Sequence, residues 1–159
     1  MEEDLPRIPI PGPDSDPTEK MVFLQEQIIN FLRQYSMPLI EVSLVFSKYT
    51  QQLSEVLILQ TEEKGETLPE ILAKPWPIIG GEPPSGETRT RLDTVLENLD
   101  DDRMDILDTI LRSSMTATEM PLVDALMQLR QWEHLARNQL AESRGAGQLF
   151  SPLEIPEEW

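Results

Sequence analysis

The sequence predicts an all-α protein, an antiparallel bundle of four to five amphipathic helices flanked by extended ends. Two observations predict this fold: large apolar residues recur at spacings of three and four along most of the chain, and prolines cluster outside those stretches. A chain of 159 residues is long enough for one sizeable hydrophobic core. We therefore expect one helical domain over residues 16–147, between an N-terminal arm and a C-terminal tail.

Residues 1–15 are predicted to form an extended N-terminal arm. Prolines stand at positions 6, 9, 11 and 13, and each fixes its φ angle and removes a backbone donor, which favours a polyproline-like conformation. The apolar residues between these prolines are Leu5, Ile8 and Ile10. Because such an arm reaches about 40 Å and loses little conformational entropy on binding, these three residues are candidates for contact with a partner protein, with docking on the chain's own bundle as the alternative.

The first two helices follow the arm directly. Asp16 can cap a helix that has Pro17 at its first position, and apolar residues then recur at helical spacing over residues 21–35. Pro38 interrupts the pattern, and a second apolar face extends from residue 39 to about residue 60. We expect the helices to end and begin on either side of this proline.

A long irregular loop is predicted over about residues 62–88. It contains prolines at positions 69, 75, 77, 83 and 84, with a short helical turn expected after the first of them. A connection of this length is uncommon in a small domain and is usually functional or disordered. Trp76 would be costly to leave in water, so we expect the loop to wrap around the bundle or to contact a partner through this residue.

Apolar spacing predicts a third helix from about Thr88 to Ser114 and a fourth from near Thr116–Thr118 to Gly145 or Gly147. The third contains Asp100–Asp102, which can end one helix and cap another, and the sequence leaves open whether the helix is broken there.

Residues 148–159 form an extended tail that combines apolar and acidic side chains. Its prolines prevent a continuous helix, and five large apolar groups are too many for an isolated tail to bury: Leu149, Phe150, Leu153, Ile155 and Trp159. These residues either fold back on the bundle or dock into a groove on another molecule. Segments of this type are common partner ligands, because a few anchors supply most of the binding energy.

The acidic charge balance excludes several classes of partner. The formal net charge is −16, with no cysteine, so direct binding to nucleic acid or to an anionic membrane surface is not expected. No apolar run approaches the ~20 residues of a transmembrane helix, and the acidic start is unlike a signal peptide. We expect a protein of the cytoplasm, or of a virion if the source is viral.

Motifs for catalysis and for cofactor binding are missing from the sequence. The sequence has a single histidine, His134, and no Gly-x-Ser-x-Gly motif that would supply a nucleophilic serine for it to activate. The glycine-rich motifs Gly-x-x-x-x-Gly-Lys and Gly-x-Gly-x-x-Gly, which bind phosphates, are also missing. Asp101, Asp105 and Asp108 could align three carboxylates on one helix face and hold a divalent cation, but a solvated acidic face is the simpler interpretation. We therefore expect no enzyme activity, no cofactor and no bound metal.

These observations favour a non-enzymatic interaction protein that acts through its extended ends. It would be an adaptor, an assembly factor or a minor structural subunit of a larger complex, such as a virion, and its partners would be other proteins or further copies of itself. The alternative is an acidic mimic of nucleic acid that inhibits a basic nuclease or polymerase. A third hypothesis is a hydrolase that uses a carboxylate-bound metal.

Overall fold

The protein is all-α, as the sequence predicts. The computed structural model describes residues 9–78, 97–143 and 146–159. Within these ranges the regular structure consists of six helices and no strand: α1 (Pro17–Tyr35), α2 (Leu39–Glu63), α3 (Glu70–Ala73), α4 (Asp101–Thr118), α5 (Leu122–Glu142) and α6 (Ala146–Leu149). Three parts of the prediction lie outside the described residues: Leu5 and Ile8 of the arm, residues 79–88 of the loop, and residues 88–96 of the third helix.

The start of α1 and the break between α1 and α2 agree with the sequence prediction. The Thr18 amide donates to the Asp16 carboxylate at 2.8 Å, and Pro17 occupies the first turn, where a missing N–H is harmless. Ser36 ends α1 in the left-handed region with φ of 46°. Met37 is buried directly after it, and Pro38 leads into α2. Three residues, 36–38, therefore separate α1 from α2.

The sequence leaves open whether the helix is broken at Asp100–Asp102; in the structure residues 98–100 are not helical and α4 begins at Asp101. The predicted start of the fourth helix near Thr116–Thr118 is wrong. The Asp100 carboxylate accepts hydrogen bonds from the amides of Asp102 and Arg103, at 3.0 and 3.2 Å, and so caps α4. Thr118 does not cap a new helix, because its hydroxyl donates to the Ser114 carbonyl and its side chain is buried within α4. The helix ends at Glu119, which has φ of 51°, and α5 begins at Leu122.

The main core lies between α2 and α5, with α1 and α4 packed beside them. The Phe46 ring of α2 stacks on the Trp132 ring of α5, with 5.7 Å between centroids. The Trp132 indole also donates to the Gln25 side-chain oxygen at 2.6 Å, which joins α5 to α1. The apolar residues with no exposed surface come from all four long helices: Leu24, Ile28, Val42, Phe46, Leu107, Leu111, Ala125, Leu126, Leu129, Trp132 and Ala136.

A buried carboxylate links α2, α3 and α5. Glu133 and Arg130 of α5 are each 2% exposed, and their side chains form an ion pair at 2.8 Å. Thr50 of α2 donates its hydroxyl to the second Glu133 oxygen at 2.6 Å, and Arg130 Nε donates to the Leu72 carbonyl of α3 at 3.1 Å. Because a buried charge is costly without partners, this network restricts how the three helices can be placed. We refer to these four groups as the Glu133 network.

A second buried carboxylate attaches α4 to α2. The Glu41 side chain is fully buried and accepts two hydrogen bonds from the Arg103 guanidinium, at 3.0 and 2.8 Å. This paired geometry is the strong form of an arginine–carboxylate contact. The hydrogen bonds to Glu41 raise the pKa of Arg103 above its ordinary value. The N-terminus of α4 is therefore fixed at its capping turn.

Removal of the Glu133 carboxylate is expected to destabilise the fold strongly. Glu133→Ala leaves the Arg130 guanidinium buried without its counter-charge, which costs about 3–5 kcal/mol. The matched control is Lys74→Ala, which breaks the exposed Glu70–Lys74 pair and changes stability by less than about 1 kcal/mol. Urea unfolding monitored by circular dichroism measures both values. A loss below about 1 kcal/mol for Glu133→Ala would contradict the structural role of this pair.

Burial of Tyr49 predicts a loss of stability at alkaline pH. Desolvation raises the pKa of Tyr49 above 10.0, the Asp108 carboxylate raises it further, and Arg112 opposes both. The unfolded chain therefore releases this proton at a lower pH than the folded protein does, so stability falls as pH rises through about 10. We expect Tyr49→Phe to show a shallower decline over this range in urea titrations. Identical pH profiles for the two proteins would show that Tyr49 is not buried as described.

Candidate functional site: the two ends of the chain

The base of the N-terminal arm is attached to α1. The buried Lys20 ammonium donates to the Pro13 carbonyl at 2.7 Å, and Lys20 is only 6% exposed. The Ser15 amide donates to the Gly12 carbonyl at 3.0 Å, which forms a turn just before the helix cap. Beyond this turn, Ile10 is 61% exposed. The arm is thus fixed at its base and presents an apolar side chain to solvent.

A groove lies between this arm and the first turns of α1. It has a volume of about 490 Å³, and its lining includes Ile10, Val22 and Phe23 together with the side chains of Glu19 and Glu26. Val22 is apolar, yet 49% of its surface is exposed to solvent. No histidine, lysine or arginine contributes to the described lining. We call this feature the N-terminal groove, and it combines apolar walls with acidic side chains.

The C-terminal segment, residues 151–159, lies on the bundle without regular structure and ends in a turn, in which the Trp159 amide donates to the Pro156 carbonyl at 3.1 Å. The predicted extended tail over 148–159 is therefore only partly correct, because Gln148 and Leu149 belong to α6. The Leu39 amide, the first of α2, donates to the Ser151 carbonyl at 2.8 Å. The Gln139 side chain of α5 contacts the Glu154 backbone twice: its amide nitrogen donates to the Glu154 carbonyl at 2.7 Å, and its oxygen accepts from the Glu154 amide at 3.0 Å. The contacts to the main chain resemble those that a neighbouring strand would make.

Apolar anchors complete the attachment of the C-terminal segment. Leu153 is 8% exposed and belongs to the main core, and Ile155 packs against that core from outside. The Trp159 and Trp132 rings form a T-shaped pair, with centroids 4.8 Å apart and planes nearly perpendicular. The sequence left open whether the tail docks on its own bundle, and in this structure it does. A contact of these residues with a partner stays a prediction, as it does for the half-buried Leu149 and Phe150.

Trp76 is held against α5 rather than projecting freely. Its indole nitrogen donates to the Ile71 carbonyl at 2.8 Å, and its own carbonyl accepts from Arg137 at 2.7 Å. The Trp76 ring lies 5.6 Å from the His134 ring, and His134 Nε2 is 3.2 Å from the Pro77 carbonyl. The described part of the loop therefore wraps on the bundle. His134 serves here to hold that loop in place.

The acidic face of α4 does not gather its carboxylates into a metal site. Asp101 and Asp105 are exposed, and Asp108 pairs with Arg112 at 2.8 Å. Across residues 9–78, 97–143 and 146–159, no group of three acidic or histidine side chains is placed to hold a cation. The nucleic-acid-mimicking role of this face stays a prediction. No helix in the same ranges combines the length and the apolar character needed to cross a membrane.

Sequence reasoning missed the polar residues that organise these sites. Glu41 lies inside an otherwise apolar run, and its isolation there is a signal that could have identified it as a buried acid. Arg130 and Glu133 are three residues apart on one helix face, a spacing that permits an ion pair. Gln139 carries no such signal, because its role depends on a segment that meets α5 only in the folded chain.

Loss of the Trp159 ring is expected to loosen the C-terminal segment selectively. Trp159→Ala removes the contact with Trp132, and hydrogen exchange at the Leu39 amide should accelerate about tenfold or more, since its acceptor lies on the segment. Glu158→Ala is the control, because this side chain is exposed. NMR measures the hydrogen-exchange rate of the Leu39 amide in both variants. Unchanged protection at Leu39 in Trp159→Ala would show that the aromatic contact does not hold the segment.

No protein-family model, curated protein sequence or solved structure matches this chain.

Proposed function

We propose that this protein is a non-enzymatic interaction protein, in which an antiparallel helical bundle holds a partner-binding arm at its N-terminus. It would serve as an adaptor, an assembly factor or a minor subunit of a larger complex, a virion included. The single observation that carries the proposal is the N-terminal groove, where Ile10 and Val22 stay exposed beside a fixed turn. The proposed partner contact therefore involves the face of the described chain that carries Ile10 and Val22.

The exposure of these side chains favours a protein ligand. Covering an exposed Ile or Val side chain contributes about 1.5–3 kcal/mol, so two adjacent anchors supply a useful fraction of the energy of a transient complex. The base of the arm is already ordered by the Lys20–Pro13 contact, so binding has less entropy to overcome. The groove is thus suited to a short segment with one or two apolar side chains.

The charge of the groove specifies the chemistry of that segment. Glu19 and Glu26 line the groove, and the nearby Lys20 ammonium is turned inward to a backbone carbonyl. The chain as a whole carries a net charge of −16, which attracts a basic partner at long range and repels an acidic one. We infer that the partner presents an apolar segment flanked by lysine or arginine. Complementary charge of this kind raises the association rate and excludes wrong partners.

Site-specific photo-crosslinking tests this proposal. A photoreactive amino acid replaces Val22 in the full-length chain, which is expressed in the cells from which the sequence derives. We expect one main protein adduct, whose crosslinked peptide carries an excess of lysine and arginine. Adding Ile10→Asp to the same chain should reduce the adduct at least fivefold, because a buried carboxylate at the contact is costly.

The matched control places the photoreactive group at Val123, which has a similar exposure of 44% on α5. If crosslinks form only through random encounters, the photoreactive group gives the same adduct yield at position 22 as at position 123. Equal yields, or an acidic crosslinked peptide from position 22, would contradict the proposal.

A further inference from the structure

We propose that a cavity between α2, α3 and α5 binds a small anion, whose carboxylate or phosphate group is held by the guanidinium groups of Arg130 and Arg137. The cavity has a volume of about 340 Å³, which falls within the range of small-ligand sites. It shares no lining residue with the N-terminal groove, so the inference does not depend on the proposed function.

Polar side chains from two long helices line this cavity. Ser47 and Ser54 of α2 are seven residues apart, which places them two turns apart on one face. Arg130, Glu133 and Arg137 of α5 follow one another at spacings of three and four, so they also share a face. The two polar faces thus meet at a space large enough to admit a ligand.

The buried Arg130 guanidinium keeps one nitrogen free. Arg130 is 2% exposed, and its Nε donates to the Leu72 carbonyl while its Nη1 donates to Glu133. Within the described chain, no residue accepts a hydrogen bond from Nη2. A donor that is buried without an acceptor lowers stability. Because Arg130 lines the cavity, a molecule bound there can supply the missing acceptor.

Arg137 leaves a positive charge at the cavity without a counter-charge. Glu133 neutralises Arg130 in their ion pair, at 2.8 Å. The half-buried Arg137 donates from Nη1 to the Trp76 carbonyl at 2.7 Å, and among the described residues no carboxylate forms an ion pair with it. The lining therefore has a net positive charge in a chain whose overall charge is −16. A bound anion would complete the charge balance.

The lining also indicates the chemistry of the ligand. A guanidinium group presents its N–H donors in a planar fork that matches the oxygens of a carboxylate or a phosphate. The Ser47 hydroxyl, which has no partner in the described part of the chain, can donate a further hydrogen bond. Ala73 and Pro75 contribute apolar surface. The cavity volume corresponds to roughly ten water molecules, so we expect a compact organic acid or phosphate.

An NMR titration of the full-length, isotope-labelled protein tests this proposal. Sodium phosphate and sodium lactate are added separately at constant ionic strength, and the Nε–H signals of Arg130 and Arg137 are followed. We expect at least one anion to give a saturable shift with a Kd of about 1 mM or lower. Binding of phosphate alone assigns the site to phosphates, and binding of lactate alone assigns it to carboxylates. Neutral lactamide has the shape of lactate and should not bind.

Substitutions in the lining locate the binding site. Arg137→Gln removes the unpaired charge and should raise the Kd about tenfold or more. The control is Arg33→Gln, which changes an exposed arginine of α1 outside the lining and should leave the Kd unchanged. Because Arg137 also holds the Trp76 carbonyl, Ser47→Leu gives an independent test: it fills the cavity, keeps both arginines and should raise the Kd by a similar factor.

Three results would each overturn the proposal. The first is the lack of a saturable shift with either anion up to about 20 mM. The second is equal binding of lactate and lactamide, which would show that the charge is not recognised. The third is a Kd in Arg137→Gln or Ser47→Leu equal to that in Arg33→Gln, which would show that the anion binds elsewhere.

Discussion

The rest of the structure depends on one buried carboxylate, that of Glu133. A charge in a protein interior must be paired, and here its partners come from α2 through Thr50 and from α5 through Arg130. Arg130 in turn holds the carbonyl of Leu72 in α3. Apolar packing alone would tolerate small rotations and shifts of α2 relative to α5. The hydrogen bonds to Glu133 are directional and restrict these movements. The Glu133 network therefore determines the position of the site that receives the C-terminal segment.

This constraint explains why the two ends of the chain behave differently. The C-terminal segment meets a well-packed site, in which Trp132 contacts Phe46 and Gln25 and forms a T-shaped pair with Trp159. The N-terminal arm is fixed only at its base and leaves Ile10 exposed beside an acidic groove. One end thus packs on this chain's own surface, and the other leaves an apolar side chain exposed.

Local signals made much of the fold predictable from the sequence. Asp16 and Pro17 mark the start of α1, and Asp100 marks the start of α4, because a short acid at an N-cap satisfies free amides in the next turn. Thr116 and Thr118 carry the same signal and are misleading, since the hydroxyl of Thr118 bonds to the preceding turn instead. Of the predicted tail residues, Leu153, Ile155 and Trp159 pack on the bundle. Gln139 and the Thr50–Glu133 contact could not be predicted, because their partners are distant in sequence and meet only through tertiary packing.

The most direct test of this account is a double-mutant cycle between Thr50→Val and Arg130→Met, with stability measured by urea unfolding. Both side chains bind the same carboxylate, so the account predicts that their effects are coupled by about 0.5–3 kcal/mol. Additive effects, within about 0.3 kcal/mol, would contradict it, because Glu133 would then not join α2 to α5 as one network.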